Sequence, residues 1–424
     1  MMTVSEAIAY IENYTWSTSK MGLERTQELL AKMGDPQKKL KFVHITGSNG
    51  KGSTCAMTAS VLTAAGYRTG MYTSPHVCDF NERMQIDGAY ISDEALAEIT
   101  EYVAQIADGM EDHPSQFELV TAIAMEYFYR EKCDIVLLEV GMGGALDSTN
   151  VIDAPVVAAF TNIGLEHTEY LGNTLTEIAK TKAGIIKKGC HVICYDSEPE
   201  AVDTIREICT EMNVPFTLVS KRAELLNVST DGQKFRYRDK IYEIGLLGEH
   251  QLRNAAMALE ILKVLDGNGF PVALPQLQKG LAETKWPARF EVLKRDPLFI
   301  LDGGHNPQCA LALTETLKQV LPGQKVYFLT GVLADKDYEK IADLIAPYAA
   351  ACVTVTPPNP RALAAKSYAE VFREKGIPAE AADSIGEGVE KAQGLAGDKP
   401  VVAFGSLYMA GEIRRIVLEQ DGRK

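Results

Sequence analysis

The chain reads as an α/β protein: a larger unit built on a mostly parallel sheet, followed by a smaller α/β unit. Three observations predict this. Short apolar runs alternate with amphipathic segments along most of the sequence, as strands do when helices cover both faces of their sheet. The first run ends in a glycine-rich turn that opens straight into a helical pattern. The length of 424 residues also exceeds the roughly 250 to 300 at which one hydrophobic core stops growing.

The elements follow in order. Residues 40–46 (LKFVHIT) form an apolar strand run, Gly47 to Ser53 the turn, and 51–65 a helix. Strands are expected at 69–73, 134–140, 156–161 and 191–194, with helices at 92–107, 116–130, 174–187 and 198–212. Over 223–247 the period changes to two around Asp231-Gly232, which predicts an antiparallel hairpin at the sheet edge. Helices at 250–265 and 274–283 close the first unit. Past Trp286-Pro287, strands at 290–294, 298–301, 325–330, 352–356 and 401–404, each followed by a helix-like segment, make the second. The boundary is expected at 294–297, dividing the chain into 1–295 and 296–424. Pro357-Pro358-Asn359-Pro360 reads as a stiff loop brace.

Charge and cysteine usage exclude several function classes. Lys plus Arg number 43 against 57 Asp plus Glu, a net charge of −14, so no positive field is available to hold a nucleic-acid backbone. The eight cysteines are scattered, and Cys190 and Cys194 lack the second pair that would complete a zinc site. They read as reduced thiols. No apolar run reaches the roughly 18 residues of a membrane span, and Glu6 and Glu12 stand where a signal peptide would be basic and apolar. The expectation is a cytoplasmic protein with neither a membrane nor a nucleic-acid partner.

The strongest chemical signal is Gly47-Ser48-Asn49-Gly50-Lys51-Gly52-Ser53 between a strand and a helix. Glycines let the backbone close around an anion, successive amides and the helix N-terminus donate to it, and Lys51 reaches the outer phosphates. The spacing differs from the common P-loop: Gly47 lies three residues before Gly50, and Gly52 separates Lys51 from Ser53. A metal on a polyphosphate calls for an acid at a neighbouring strand end. Glu139, ahead of Gly141-Met142-Gly143-Gly144, suits that task. His167 follows the next strand, where ligands collect at the carboxyl ends of parallel strands. Lys182 shares its helix with Lys180, near Lys187 and Lys188, and by spacing alone reads as part of a solvated basic face. In the second unit Asp302 and His305 occupy a strand-to-helix junction, either as site residues or with Asp302 or Asn306 as a helix cap. Polar strand ends on both units imply a cleft between them.

These motifs together resemble folylpolyglutamate synthase, often bifunctional with dihydrofolate synthase, in the Mur ligase superfamily. The resemblance runs from Gly22-Leu23-Glu24-Arg25 through 42–53, Thr73-Ser74-Pro75-His76, Asn81-Glu82-Arg83, 138–144 and Leu146-Asp147-Ser148-Thr149-Asn150. It continues with Lys182-Ala183-Gly184-Ile185, His250-Gln251, Asn254-Ala255-Ala256 and 302–307, and ends near Phe404-Gly405-Ser406-Leu407-Tyr408. It implies a P-loop ATPase domain joined to a smaller Rossmann-like domain. ATP then sits on Gly47 to Ser53, with His250, Gln251, Asn254, Arg289 and Asp302 around it. Ser74 and Glu139 hold one Mg2+, while His167 and a carbamylated Lys182 hold a second. Phe117, Asp153, His305 and Ser406 contact the substrate, and Lys51, Lys182, Asp302 and His305 carry the chemistry. The implied substrates are folate or dihydropteroate and L-glutamate, acted on by a monomer. Two positions depart from the usual pattern: Ser48 replaces threonine and Ala288 replaces glycine. The alternatives are another Mur-type amino-acid ligase and, from a different class, a nucleotide-dependent switch; no Asn-Lys-x-Asp guanine-reading motif supports a GTPase.

Overall fold

The computed structural model describes residues 2–14, 22–219 and 223–423. The first unit is organised by strands buried on both faces, which is why they read as continuous apolar runs. Along β1 (Phe42–Thr46) Val43 and Ile45 pack with the helix Lys51–Ala64. Phe42 turns to the opposite core, shared with the helices Asp93–Ala107 and Gln116–Arg130. The remaining strands of this sheet are β2 (Thr69–Tyr72), β3 (Met84–Ile86), β4 (Ala89–Tyr90), β5 (Ile135–Glu139), β6 (Val157–Phe160), β7 (His191–Tyr195) and β8 (Phe216–Val219). Their order is β4-β3-β2-β5-β1-β6-β7-β8, parallel except for β3 and β4.

The 223–247 segment corrects the expectation of a hairpin at the sheet edge. It forms its own antiparallel sheet of β9 (Glu224–Ser229), β10 (Gly232–Tyr237) and β11 (Lys240–Ile244). Phe235, Tyr237, Tyr242 and Ile244 face one side and join the core of the helices Glu249–Asp266 and Leu274–Glu283. The two-residue period is therefore satisfied by covering helices, and the main sheet's edge is taken by β8. The helix expected over 174–187 stops at Ala183.

The second unit holds β12 (Glu291–Arg295), β13 (Leu298–Asp302), β14 (Val326–Thr330), β15 (Ala349–Thr354), β16 (Ala379–Ala381) and β17 (Val401–Phe404), ordered β12-β13-β17-β14-β15-β16. All pairs are parallel except β12 with β13. Strand β12 thus returns directly as β13 without the expected helix. It also lies on the first-unit side of the expected boundary at 295 while hydrogen-bonding into the second sheet, which moves the division ahead of Glu291.

Candidate active site

A cleft of about 740 Å³ opens between the two units at the carboxyl ends of β1, β5, β6 and β13. The turn after β1 is shaped by close approach. Gly47 has φ +143° and Gly50 φ +89°, and a Cβ on Gly50 would lie 2.4 Å from the Asn254 side-chain oxygen. Only glycine fits a left-handed backbone with so little space. Asn162 anchors the turn, its carbonyl accepting from Ser48 N–H (2.8 Å) and its Oδ1 from Asn49 N–H (2.8 Å). Lys51 Nζ donates to Gly47 O at 2.9 Å. From the second unit, Gln308 Oε1 accepts from Asn49 Nδ2 at 2.9 Å, so the turn touches both lobes.

Glu139 ends β5 with only 6% exposure, and its Oε2 accepts from Ser74 N–H at 3.2 Å. Burial pushes its pKa up against the pull of Lys51, that N–H and Arg289. Lys182 is 1% exposed, its Nζ 2.8 Å from Glu166 Oε1. This overturns the reading of a solvated face: Lys180 and Lys188 are exposed, but Lys182 turns inward. Burial, with Lys51 nearby, lowers its pKa, and Glu166 opposes without cancelling. Burial pushes Glu166 the other way, yet Lys182 and Lys51 hold it below the ordinary carboxylate range. His167 lines the cleft in a left-handed conformation, φ +46°. Among the described residues no three His, Cys, Asp or Glu side chains gather to hold a metal.

His250, Gln251, Asn254 and Arg289 line the cleft around the turn. Burial lowers the His250 pKa to about 4, with Arg289 and Arg253 adding, so its ring is neutral near pH 7. Ala288, where the resembled family has glycine, holds φ +54°. An alanine there carries about 1 kcal/mol of backbone strain that glycine would not.

Asp302 and His305 both reach the cleft, in different states. Asp302 Oδ2 accepts from Phe290 N–H (2.9 Å) and Oδ1 from Gly304 N–H (2.7 Å), so both oxygens brace backbone. His305 Nδ1 faces Gly303 O at 3.2 Å, which makes it the protonated nitrogen and leaves Nε2 a lone pair. Burial lowers the His305 pKa. The helix-capping role falls to Asn306, whose Oδ1 accepts from Cys309 N–H at 2.8 Å.

Three substrate candidates stand elsewhere. Ser406 is buried and caps the helix Leu407–Gln420 beside the cleft residue Leu407. Phe117 packs beneath Gly141, behind the cleft wall. Asp153 is exposed and does not line the cleft, because it precedes β6 and so sits at that strand's amino end. The acid beside Phe117 is Asp147, inside the quoted Leu146 to Asn150 run but not singled out from sequence. Its carboxylate is buried and accepts from Met142 N–H (2.8 Å) and Thr149 N–H (3.0 Å), fixing the glycine-rich loop behind Glu139.

This brace continues into β1. Thr149 gives its hydroxyl proton to Asp147, so His44 must donate from Nε2 to Thr149 Oγ1 at 2.9 Å. Among the described residues His44 Nδ1 has no partner, and burial lowers the pKa to about 3. A folded-state pKa below the unfolded value of ~6.5 means stability is complete above pH ~6.5 and falls as pH drops toward 3. His44→Gln keeps the Nε2 donor and removes the titration. Between pH 6.5 and 4.5 the parent should lose roughly 2 kcal/mol more stability than the variant in urea unfolding. Parallel pH profiles would refute the buried neutral imidazole.

Comparison with known proteins agrees with this geometry. Residues 45–262 match the Mur ligase middle domain, and 288–407 match the Mur ligase glutamate ligase domain. A folylpolyglutamate synthase of Lacticaseibacillus casei is 35% identical over 98% of this chain and 99% of its own length. A dihydrofolate synthase/folylpolyglutamate synthase of Bacillus subtilis is 34% identical over 93% and 95%. The Mycobacterium tuberculosis folylpolyglutamate synthase structure with ADP and AMPPCP superposes with a TM-score of 0.88 at 28% identity, covering 98% of both chains. Matched in order along nearly its whole length, the chain belongs to the Mur ligase family, among the folylpolyglutamate and dihydrofolate synthases.

Proposed function

We propose that this protein is an ATP-dependent ligase that adds L-glutamate to tetrahydrofolate and its polyglutamates, and to dihydropteroate, through an acyl phosphate. One observation carries the reading: the β1 turn with Lys51 faces the Asp302–His305 junction of the second unit across a single cleft. A carboxylate is a poor electrophile, so amide formation needs prior activation. Attack by the acid on the ATP γ-phosphorus gives the acyl phosphate and ADP; glutamate nitrogen then attacks the carbonyl and phosphate leaves. The turn amides and Lys51 bind and orient the terminal phosphates. His305 Nε2, neutral and unprotonated, accepts a proton from the glutamate ammonium, so that the free amine can attack. Asp302, with both oxygens engaged, braces the backbone amides of Phe290 and Gly304, the latter next to that histidine.

The residues fit magnesium. Glu139 is a buried carboxylate that accepts from Ser74 N–H, and Ser74, which lines the same cleft, carries a hydroxyl as a second hard oxygen. A site with so few protein oxygens suits an ion that keeps waters and phosphate oxygens as its other ligands. Glu139 and Ser74 would hold one Mg2+, and His167 with Lys182, as its carbamate, a second. Bound there, magnesium would neutralise charge on the transferring phosphoryl group. The eight unpaired cysteines support a reducing cytoplasm, and we expect a monomer.

Purified protein given ATP, Mg2+ and glutamate should release phosphate only when tetrahydrofolate or dihydropteroate is added, and mass spectrometry should show products heavier by one or more glutamyl units. Phosphate release independent of glutamate would overturn the ligase reading, and a product from tetrahydrofolate alone would remove the dihydropteroate activity.

A further inference from the structure

Residues 246–248 carry the chain from β11 into the helix Glu249–Asp266, which brings His250, Gln251 and Asn254 to the cleft. Two neighbours in that segment are buried in different units. Leu246 packs in the core shared with that helix, and Leu247 in the core of the second sheet with Ile300 and Phe328. Past the end of β11 at Ile244 the backbone between them has no strand to pair with, so its carbonyls need another donor. Gln233, on β10 and 3% exposed, meets that need: its Nε2 donates to Leu246 O at 2.8 Å and to Gly248 O at 2.9 Å. Gly248 O also accepts the Gln251 N–H at 2.9 Å, within the first turn of the helix. The Gln233 Oε1 has no partner among the described residues.

A buried amide with an idle acceptor is a costly way to satisfy two carbonyls. A helix start is ordinarily fixed by Ser, Thr, Asp or Asn at the cap, but here the cap is Gly248 at φ +107°, which has no side chain to offer. Close approach explains that glycine. A Cβ there would lie 2.5 Å from His250 Cε1 and 2.7 Å from Thr316 Oγ1 on the second unit's helix Pro307–Val320. The His250 ring rests against the Gly248 backbone, so where Gly248 sits decides where that ring sits. On the ligase reading above, which puts ATP beside His250 and Asn254, we propose that Gln233 is a positioning residue for the nucleotide, acting through Gly248 on His250. The three-stranded sheet, none of whose strand residues lines the cleft, thereby sets how tightly ATP is held.

Gln233→Met keeps the length of the side chain and removes both donors. ADP with Mg2+, titrated calorimetrically well below the variant's melting temperature, should bind about 10-fold more weakly than to the parent. In turnover, KM for ATP should rise by a similar factor, while kcat at saturating ATP and the KM values for tetrahydrofolate and glutamate stay near the parent's. Gln233→Glu, the same shape, which burial keeps protonated with a single donor, should fall between and serves if the methionine variant does not fold. His250→Ala should itself weaken ADP binding, and Gln233→Met should then add less than about 2-fold, because residues acting through one contact are not additive. Parent-like ADP affinity in folded Gln233 variants, KM values rising for all substrates alike, or the full loss added on top of His250→Ala would overturn the proposal and leave Gln233 a structural role. A parent protein that binds no ADP would instead refute the ligase reading.

Discussion

Lys51→Ala should lower turnover about 1000-fold and leave the melting temperature nearly unchanged. Lys51 is the first residue of the helix Lys51–Ala64, where the positive end of the helix dipole repels a cation. Among the described residues its side chain hydrogen-bonds only to Gly47 O, at 2.9 Å. Losing that bond costs about 1 kcal/mol, and relieving the repulsion returns ~0.3–1 kcal/mol, so the two nearly cancel. A cation kept at an unfavourable position with so little folding benefit is there for an anion that arrives later. Phosphoryl transfer depends on charge placed in advance, and removing one such donor typically costs 100- to 1000-fold. Lys51 also opposes the burial that raises the Glu139 pKa, so its loss weakens the neighbouring carboxylate as a cation ligand. Phosphate release measured beside thermal unfolding checks both halves. Parent-like turnover would refute the loop assignment, and a collapsed melting temperature would refute the claim that the effect is local.

What could be read from the sequence depended on how locally each feature is determined. The β1 turn was legible because a left-handed backbone and close packing demand glycine at fixed offsets. Strand ends such as Glu139 and Asp302 were legible because polarity switches where a buried strand meets the cleft. The use of Asp302 was not, since its two backbone partners depend on how β12 folds against β13. Asp153, implied by the resemblance, stands at the amino end of β6 away from the cleft, which distance along the chain does not reveal. The strands β3, β4 and β16 span two or three residues each, too few to show a period. The helix Val4–Glu12 did announce itself, through the capping box of Thr3 and Glu6, and went unread.

Lys182→Arg should lower turnover at least 100-fold while keeping the fold, and Lys182→Ala should be partly rescued by acetate or formate. Arginine preserves a cation for Glu166, so a purely structural ion pair would survive the change; it cannot form a carbamate. Removing the cation altogether leaves Glu166 uncompensated, and truncating one partner of a buried pair costs about 3–5 kcal/mol, so arginine is the cleaner probe of chemistry. Carbamate formation needs the neutral amine: the amine nitrogen bonds to CO2 carbon and one proton leaves. Burial, which lowers the Lys182 pKa, makes that amine available, and its share grows as pH rises. The product would set two anions side by side, because Glu166 Oε1 is 2.8 Å from Nζ. Such a pair is tolerable only beside positive charge, which Lys51 and bound magnesium would supply. CO2 depletion should therefore reduce parent activity most at the acidic end of its range, and 13CO2 should give a magnesium-dependent carbamate resonance in the parent but not in Lys182→Arg. Full activity in Lys182→Arg, together with no acetate rescue of Lys182→Ala, would mean that the buried ammonium paired with Glu166 is itself the working state.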